Sequence, residues 1–191
     1  MFFKPKLARL PDEELMQEIR QGREAAFTEL YARYSTSLLR YFTRMLWNNR
    51  ALAEDLLHDL FLKIIHNPQQ FDTNRKFSTW AYSVAHNMCK NEYRKKQNQR
   101  LDGIEVKQSR DLDRELDLFS VNNKLAMLLE TLEEEDKTIF LLRYEEELSI
   151  GQISQIVFMP EGTVKSRLFY LRKQLANELN EFKVVLKEKS L

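Results

Sequence analysis

Ser149-Ile150-Gly151-Gln152-Ile153-Ser154-Gln155-Ile156-Val157-Phe158-Met159-Pro160-Glu161-Gly162-Thr163-Val164-Lys165-Ser166-Arg167-Leu168 is the stretch on which the fold turns. Ser149 can cap a short helix that runs through Val157. Pro160 suits the first position of a second helix, because its missing N–H is not needed there. Val164, Leu168, Leu171, Leu175 and Leu179 recur at spacings of three and four, which places them on one helix face. A short helix, a tight turn and a longer helix fit a helix-turn-helix, whose second helix enters a major groove N-terminal end first. The same spacing also fits an ordinary pair of hairpin helices with a solvated polar face. In the first reading, the helix N-terminus and the Thr163 hydroxyl suit a phosphate, and Gly162 permits close approach to a backbone. Lys165, Ser166, Phe169, Tyr170 and Lys173 lie off the leucine stripe and are the candidates to meet bases or phosphates.

Toward the N-terminus, Leu125, Leu128, Leu129 and Leu132 continue a helical pattern, and Asp136 is expected to cap the helix that carries Ile139, Leu142 and Tyr144. Residues 101–121 are polar and acidic with Gly103 inside, and read as a flexible linker with transient helix at Asp113 to Phe119. Before them, Pro11 and Asp12 start a short helix through Gln21, and Gly22 ends it. Phe27, Leu30, Tyr31, Tyr34, Leu38, Tyr41, Phe42 and Leu46 form one face of a long helix, broken by Asn48 and Asn49. A third helix spans about Arg50 to Ile65, with Leu52, Leu56, Leu57, Leu60, Phe61, Ile64 and Ile65 as its apolar stripe. Asp55, Asp59, Leu62 and His66 fall on another face. Asn67 to Lys76, with Pro68, is a loop, and Ser78 or Thr79 is expected to cap a fourth helix.

The predicted class is therefore all-α: two small helical domains, 1–100 and 122–191, joined by the linker. Four glycines and four prolines in 191 residues argue against a sheet-rich chain built on tight turns. With 43% hydrophobic and 31% charged residues, the chain reads as globular. Net charge is +1 overall, but residues 1–100 hold 17 basic and 11 acidic side chains, 101–136 hold 4 and 11, and 137–191 hold 9 and 7. Two basic bodies around an acidic middle suit a polyanionic partner met by the bodies and not by the connector. No apolar run approaches the roughly 18 residues of a membrane span. Residues 1–10 lack a long apolar segment and a small-residue cleavage site, which argues against export. The single cysteine, Cys89, allows no disulfide framework and suits a reducing compartment.

Phe71-Asp72-Thr73-Asn74-Arg75-Lys76-Phe77-Ser78-Thr79-Trp80-Ala81-Tyr82-Ser83-Val84-Ala85-His86-Asn87 mixes aromatics, amides and bases. Such a mixture can stack unpaired bases and neutralise their phosphates; core burial is the competing fate of Phe77, Trp80 and Tyr82. Arg94, Lys95 and Lys96 follow on the same helix and add positive charge. An enzyme reading finds little support. His58, His66 and His86 have no partners at zinc-ligand spacing, His58 beside Asp55 and Asp59 reads as a set of solvated side chains, and no phosphate-cradling glycine loop is present. No cofactor and no metal site is expected.

Ala53-Glu54-Asp55-Leu56-Leu57-His58-Asp59-Leu60-Phe61-Leu62-Lys63, then Phe71, Phe77 to Tyr82, His86-Asn87 and Arg94-Lys95-Lys96, resemble the second conserved region of bacterial sigma factors. Leu132-Glu133, Leu141 to Tyr144, Leu148-Ser149, Ile153 and Pro160 to Leu168 resemble the fourth region. Two such regions with a short connector resemble the layout of the extracytoplasmic-function (ECF) group, over roughly residues 20–97 and 122–180. The resemblance implies a non-enzymatic, cytoplasmic factor that binds core RNA polymerase, directs it to promoter DNA and helps to open the duplex. It implies polymerase contacts through Asp55, Asp59, Leu62 and Lys63. It implies single-strand contacts to the minus-ten element through Phe71, Trp80, Asn87, Arg94, Lys95 and Lys96, with Phe71 and Asn87 forming a pocket for a flipped base. Duplex contacts to the minus-thirty-five element fall to Thr163, Lys165, Ser166, Phe169, Tyr170 and Lys173. Sequestration by an anti-sigma factor is common in the group, which adds such a protein to the expected partners. Two residues depart from the family pattern. Phe158 stands where the turn usually has glycine, so that burial of its ring, or a different turn, is expected. Tyr170 stands where arginine is frequent. The competing class is a stand-alone helix-turn-helix regulator, which needs an effector pocket or dimer seam in residues 1–100.

Overall fold

The computed structural model describes residues 6–101 and 121–188, and within them it is built from helices alone. Contacts divide the chain into two units, Met1–Asp102 and Gly103–Leu191. Most of the expected connector, 101–121, and the expected transient helix at 113–119 lie outside the described residues.

The first unit holds α1 (Asp12–Arg20), α2 (Glu24–Met45), α3 (Arg50–His66) and α4 (Phe77–Leu101). Pro11 stands just before α1, and Asp12, Glu13 and Glu14 lie in its first turn, where carboxylates are favoured by the exposed N–H groups. Gly22, at φ +81°, makes the left-handed turn into α2. Between α2 and α3 two consecutive residues, Trp47 and Asn48, adopt positive φ. Asn49 then caps α3, its Oδ1 accepting from Leu52 N at 3.2 Å. The core gathers around α2: Leu30, Leu38, Tyr41, Phe42 and Met45 are fully buried against Leu15 and Met16 of α1, Leu60 and Ile64 of α3, and Phe77 at the start of α4. Each such side chain contributes roughly 1.5–3 kcal/mol by leaving water.

The expected start of α4 is corrected. The helix begins at Phe77, so Ser78 and Thr79 lie inside its first turn. The N-terminal amide of Phe77 instead donates to Glu13 Oε1 of α1, 3.0 Å away.

The second unit holds α5 (Val121–Thr131), α6 (Glu134–Tyr144), α7 (Ile150–Val157) and α8 (Glu161–Glu188). Asp136 does not cap α6. It is the third residue of that helix and takes Arg167 of α8 at 2.8 Å. Ser149 caps α7 as expected, with the reciprocal bond from its own amide to Gln152 Oε1. Ala126, Leu128, Leu129, Ile139, Leu141, Leu142, Ile153, Ile156, Val164, Leu168, Leu171 and Leu175 form the core of this unit. Lys137 is buried with them, its Nζ 3.6 Å from Glu130 of α5.

Candidate nucleic-acid interface

In the first unit the candidate site is the loop between α3 and α4 with the outer face of α4. Asp72 organises the loop tip: its Oδ1 accepts from the amide and the side-chain amide of Asn74, both at 3.0 Å. The backbone bond from Asn74, more than the neighbouring Arg75, holds the Asp72 carboxyl below the usual carboxylate range. The loop is tied back to α1 by Arg20, which donates to Pro68 O at 3.2 Å and to Phe71 O.

Phe71, Phe77 and Trp80 form one aromatic cluster, with centroid separations of 5.6 Å for Phe71–Phe77, 5.5 Å for Phe71–Trp80 and 5.7 Å for Phe77–Trp80. Phe71 and Phe77 are fully buried and Trp80 is half-buried. The expectation for Phe71 is therefore corrected. Its ring offers no open wall to a base; it anchors the loop from beneath, because three rings bury far more area together than apart.

Trp80, Asn87 and Arg94 recur every seven residues along α4 and so share one face. Asn87 is exposed and its side chain makes no hydrogen bond among the described residues, leaving its amide donor and acceptor available. Arg94 is exposed and donates to Asn91 Oδ1 at 3.0 Å. Lys95 pairs with Glu92 at 2.6 Å. Lys96 lies on a different side. Its ammonium stands 3.4 Å above the Trp47 ring, which is itself held by Tyr93 at 4.6 Å between centroids. Lys96 thus ties the basic end of α4 to the α2–α3 turn by a cation–π contact, a role its place in a basic run did not announce. His86 is buried, and its pKa is pushed down to about 4 by that burial and then by Lys90, so the ring is neutral at physiological pH.

On α3, Asp55, Asp59 and Lys63 form an exposed row at spacing four, with Leu62 half-buried beside them. Next to the row lies an apolar groove of about 530 Å³ between α2 and α3, lined by Phe27, Tyr31, Leu57, Phe61, Leu62 and Ile65, with Glu54 and His58 at its polar edge. Ile65, expected in the core stripe, is exposed here, as is Tyr31. The signal was present in the sequence: apolar positions on α3 span more of the helix circumference than one packed face needs.

In the second unit, Val164, Leu168, Leu171 and Leu175 bury one side of α8. Thr163, Lys165, Ser166, Phe169, Tyr170 and Lys173 are all exposed. Ser166, Phe169 and Lys173, at spacings of three and four, run along the middle of the exposed face, and the Phe169 and Tyr170 rings meet edge to face at 5.5 Å. Lys165 stands 3.7 Å from Glu161 in solvent, a pairing worth little. Apart from the adjoining residues and backbone of its own helix, nothing lies within 4 Å of where a Gly162 Cβ would be, so packing against the rest of the protein does not require glycine there. Arg167 points away from this face, into Glu135 at 3.2 Å and Asp136.

Phe158 is at φ 55°, ψ 42°, the left-handed turn that glycine usually makes. Its side chain is 80% exposed. Neither expectation, burial of the ring or a different turn, holds. The turn is secured instead by Ser154, whose carbonyl accepts from Met159 N at 3.1 Å and whose hydroxyl donates to Met159 O at 2.5 Å.

Comparison with known proteins gives a consistent result. Sigma-70 region 2 is matched over residues 30–99 and Sigma-70, region 4, over residues 122–175. The ECF RNA polymerase sigma-E factor of Haemophilus influenzae is 30% identical over 184 residues, covering 89% of this chain and 96% of that protein. The ECF RNA polymerase sigma factor SigW of Bacillus subtilis is 28% identical over 179 residues, covering 87% and 95%. Among solved structures, CnrH in complex with the cytosolic domain of CnrY superposes with a TM-score of 0.68 at 20% identity, covering 89% of this chain and 97% of that one. RpoE from Bartonella quintana, in complex with the anti-sigma factor NepR, gives 0.59 at 22% identity, covering 82% and 98%. At these identities the structures speak for the fold.

Proposed function

We propose that this chain, which belongs to the ECF group of the sigma-70 family, divides the work of transcription initiation between its two units. As an ECF sigma factor it binds core RNA polymerase, directs it to promoters and promotes melting of the duplex. The first unit takes the polymerase through the row Asp55, Asp59, Leu62 and Lys63 and holds the unpaired minus-ten strand with Trp80, Asn87 and Arg94, over a floor anchored by Phe71. Lys95 adds charge beside that face, and Lys96 stiffens its end. The second unit reads the minus-thirty-five duplex with Thr163, Lys165, Ser166, Phe169, Tyr170 and Lys173.

The observation that carries this division is the exposed face of α8, opposite the buried side formed by Val164, Leu168, Leu171 and Leu175. A helix held by one side and bare on the other is what insertion into a major groove requires. On the first unit, an exposed amide two turns from a half-buried tryptophan supports capture of a base lifted out of its stack. The family's initiation factors act without catalysis of their own, which supports a non-enzymatic role. Relatives named for RNA polymerase support a cytoplasmic place of work, and no described helix is long and apolar enough to cross a membrane. An anti-sigma partner is proposed by likeness to the RpoE–NepR complex.

The test is reconstitution. Purified chain is offered a promoter duplex, taken from transcript starts mapped after overexpression, with and without core polymerase. Binding and open-complex formation are expected only with the polymerase. Tight, sequence-selective binding by the chain alone would identify a stand-alone regulator instead.

A further inference from the structure

Helix α1 lies before the stretch matched to region 2, which begins at residue 30, and none of its residues was expected to act at the site. Yet both ends of the α3–α4 loop are tied to it. Glu13 and Arg20 stand seven residues apart and so project from one face of α1. Arg20 takes the carbonyls of Pro68 and Phe71 at the loop's beginning. Glu13 takes the amide of Phe77 at the loop's end, at 3.0 Å, with Lys76 Nζ 3.8 Å away. Within the loop itself the hydrogen bonds are local: Gln70 N to Asn67 O, Arg75 N to Asp72 O and the Asp72–Asn74 pair. The long-range ties thus come from α1.

Helix α1 is in turn fixed to α2. Asp12 accepts from Arg33 at 2.6 Å and from Tyr34 at 2.5 Å, and Arg33 also donates to Leu10 O at 2.9 Å and Ala8 O at 3.1 Å. A continuous series of bonds therefore runs from α2 through Asp12 to Glu13 and Arg20, and from them to the backbone that presents Phe71 and Trp80.

We infer that α1 is a brace that sets the shape of this loop before DNA arrives, with Glu13 and Arg20 as positioning residues for capture of the unpaired strand. The inference rests on the single-strand role proposed above. Its physical basis is preorganisation: a loop already in its bound shape loses less conformational freedom on binding. Glu13 gives the sharper test, because charge and geometry oppose each other there. Deleting a carboxylate near an anionic strand should strengthen binding by electrostatics alone. The brace requires the reverse.

Two measurements decide it. The first is amide hydrogen exchange on the whole chain without DNA. Glu13→Ala should speed exchange of the Phe77 amide by about tenfold, and Glu13→Gln, which keeps an acceptor oxygen, should stay near wild type. The second is the affinity of reconstituted holoenzyme for a fluorescent fork-junction probe, duplex upstream and single-stranded across the minus-ten element of a mapped promoter. Glu13→Ala should weaken it about fivefold or more, Glu13→Gln about twofold at most, and core polymerase binding should be unchanged in both. Arg20→Lys, whose donors all sit on one nitrogen and cannot span both carbonyls as Nε and Nη2 do, should fall between Arg20→Ala and wild type. Fork-junction affinity of Glu13→Ala at or above wild type would overturn the brace, as would equal losses in the Ala and Gln variants. If wild-type holoenzyme itself shows no affinity for the single strand, the proposed function fails, while hydrogen exchange still decides whether α1 braces the loop.

Discussion

The two units hold their candidate DNA-binding side chains in opposite ways. In the first, half of the set is built into the fold: Phe71 is buried, Trp80 packs on two rings and Lys96 sits over Trp47, while Arg94 and Lys95 make surface contacts with Asn91 and Glu92 of their own helix. Asn87 alone of this set is exposed without a partner among the described residues. In the second, all six candidates are exposed, and the contacts they make stay within α8: Lys165 to Glu161, the Ser166 hydroxyl to Gly162 O, and the Phe169 ring to Tyr170, these two being 63% and 68% exposed. The contrast follows from what each unit is proposed to meet. An unpaired strand has no fixed shape, so its site is built in advance. A duplex carries its own shape, and projecting side chains find its groove edges in place.

The comparison can be broken first at its aromatics. Phe71→Ala removes a fully buried ring and should destabilise the first unit by about 3–5 kcal/mol. Phe169→Ala removes an exposed ring and should change stability by about 0.5 kcal/mol at most. Thermal unfolding of the two variants measures both. An unchanged midpoint for Phe71→Ala would return that ring to the surface.

Acid sharpens the contrast next. His86 titrates near pH 4 when folded, against an ordinary value of 6.5. Above pH 6.5 the ring is neutral in both states and adds no pH dependence. As the pH falls toward 4, the unfolded chain binds a proton that the folded chain refuses, so stability is lost across that window. A difference of about 2.5 pH units corresponds to about 3 kcal/mol. Denaturant midpoints measured from pH 7 to 4 should fall for wild type, and His86→Leu should flatten the part of the slope that belongs to this residue. An identical slope in the variant would mean that His86 is not buried as described.

The acidic row on α3 comes third. Asp55→Arg with Asp59→Arg reverses two exposed charges, so the fold should survive, while a pull-down of core polymerase should fall by about tenfold or more. Retention at wild-type level would move the polymerase contact elsewhere, the apolar groove beside it being the next surface to mutate.

The smallest effect lies in the second unit. Phe158 occupies a left-handed turn with its ring in solvent, so no packing offsets the backbone strain. Phe158→Gly should stabilise that unit by about 1 kcal/mol. A destabilised variant would show that the ring makes a contact that matters.

Much of this was legible in the sequence, and the reasons are local. Pro11, Gly22 and Ser149 act on their own helix ends within a few residues, so their neighbourhoods suffice to read them, whereas Asn49, read only as a break, also caps α3. The face of α8 was legible because five leucine-type positions define its opposite side. What escaped was set by partners distant in sequence. The start of α4 is capped by Glu13, 64 residues away. Phe71, though its ring partners Phe77 and Trp80 are near in sequence, has its backbone held by Arg20, 51 residues away. Lys96 is bound by Trp47, and Asp136 is drawn from capping by Arg167. Phe158 escaped for another reason: the turn is held by Ser154, whose neighbours in sequence do not announce a bond back to Met159.

The central claim is that the two units read two forms of DNA. Reconstituted holoenzyme carrying Asn87→Ala or Lys165→Ala is titrated against two probes, a single-stranded minus-ten oligonucleotide and a minus-thirty-five duplex from the same promoter. Asn87→Ala should weaken the single strand by about tenfold and leave the duplex within about twofold of wild type, and Lys165→Ala should do the reverse with a shallower salt dependence. Equal losses on both probes in both variants would contradict the division of labour between the two units.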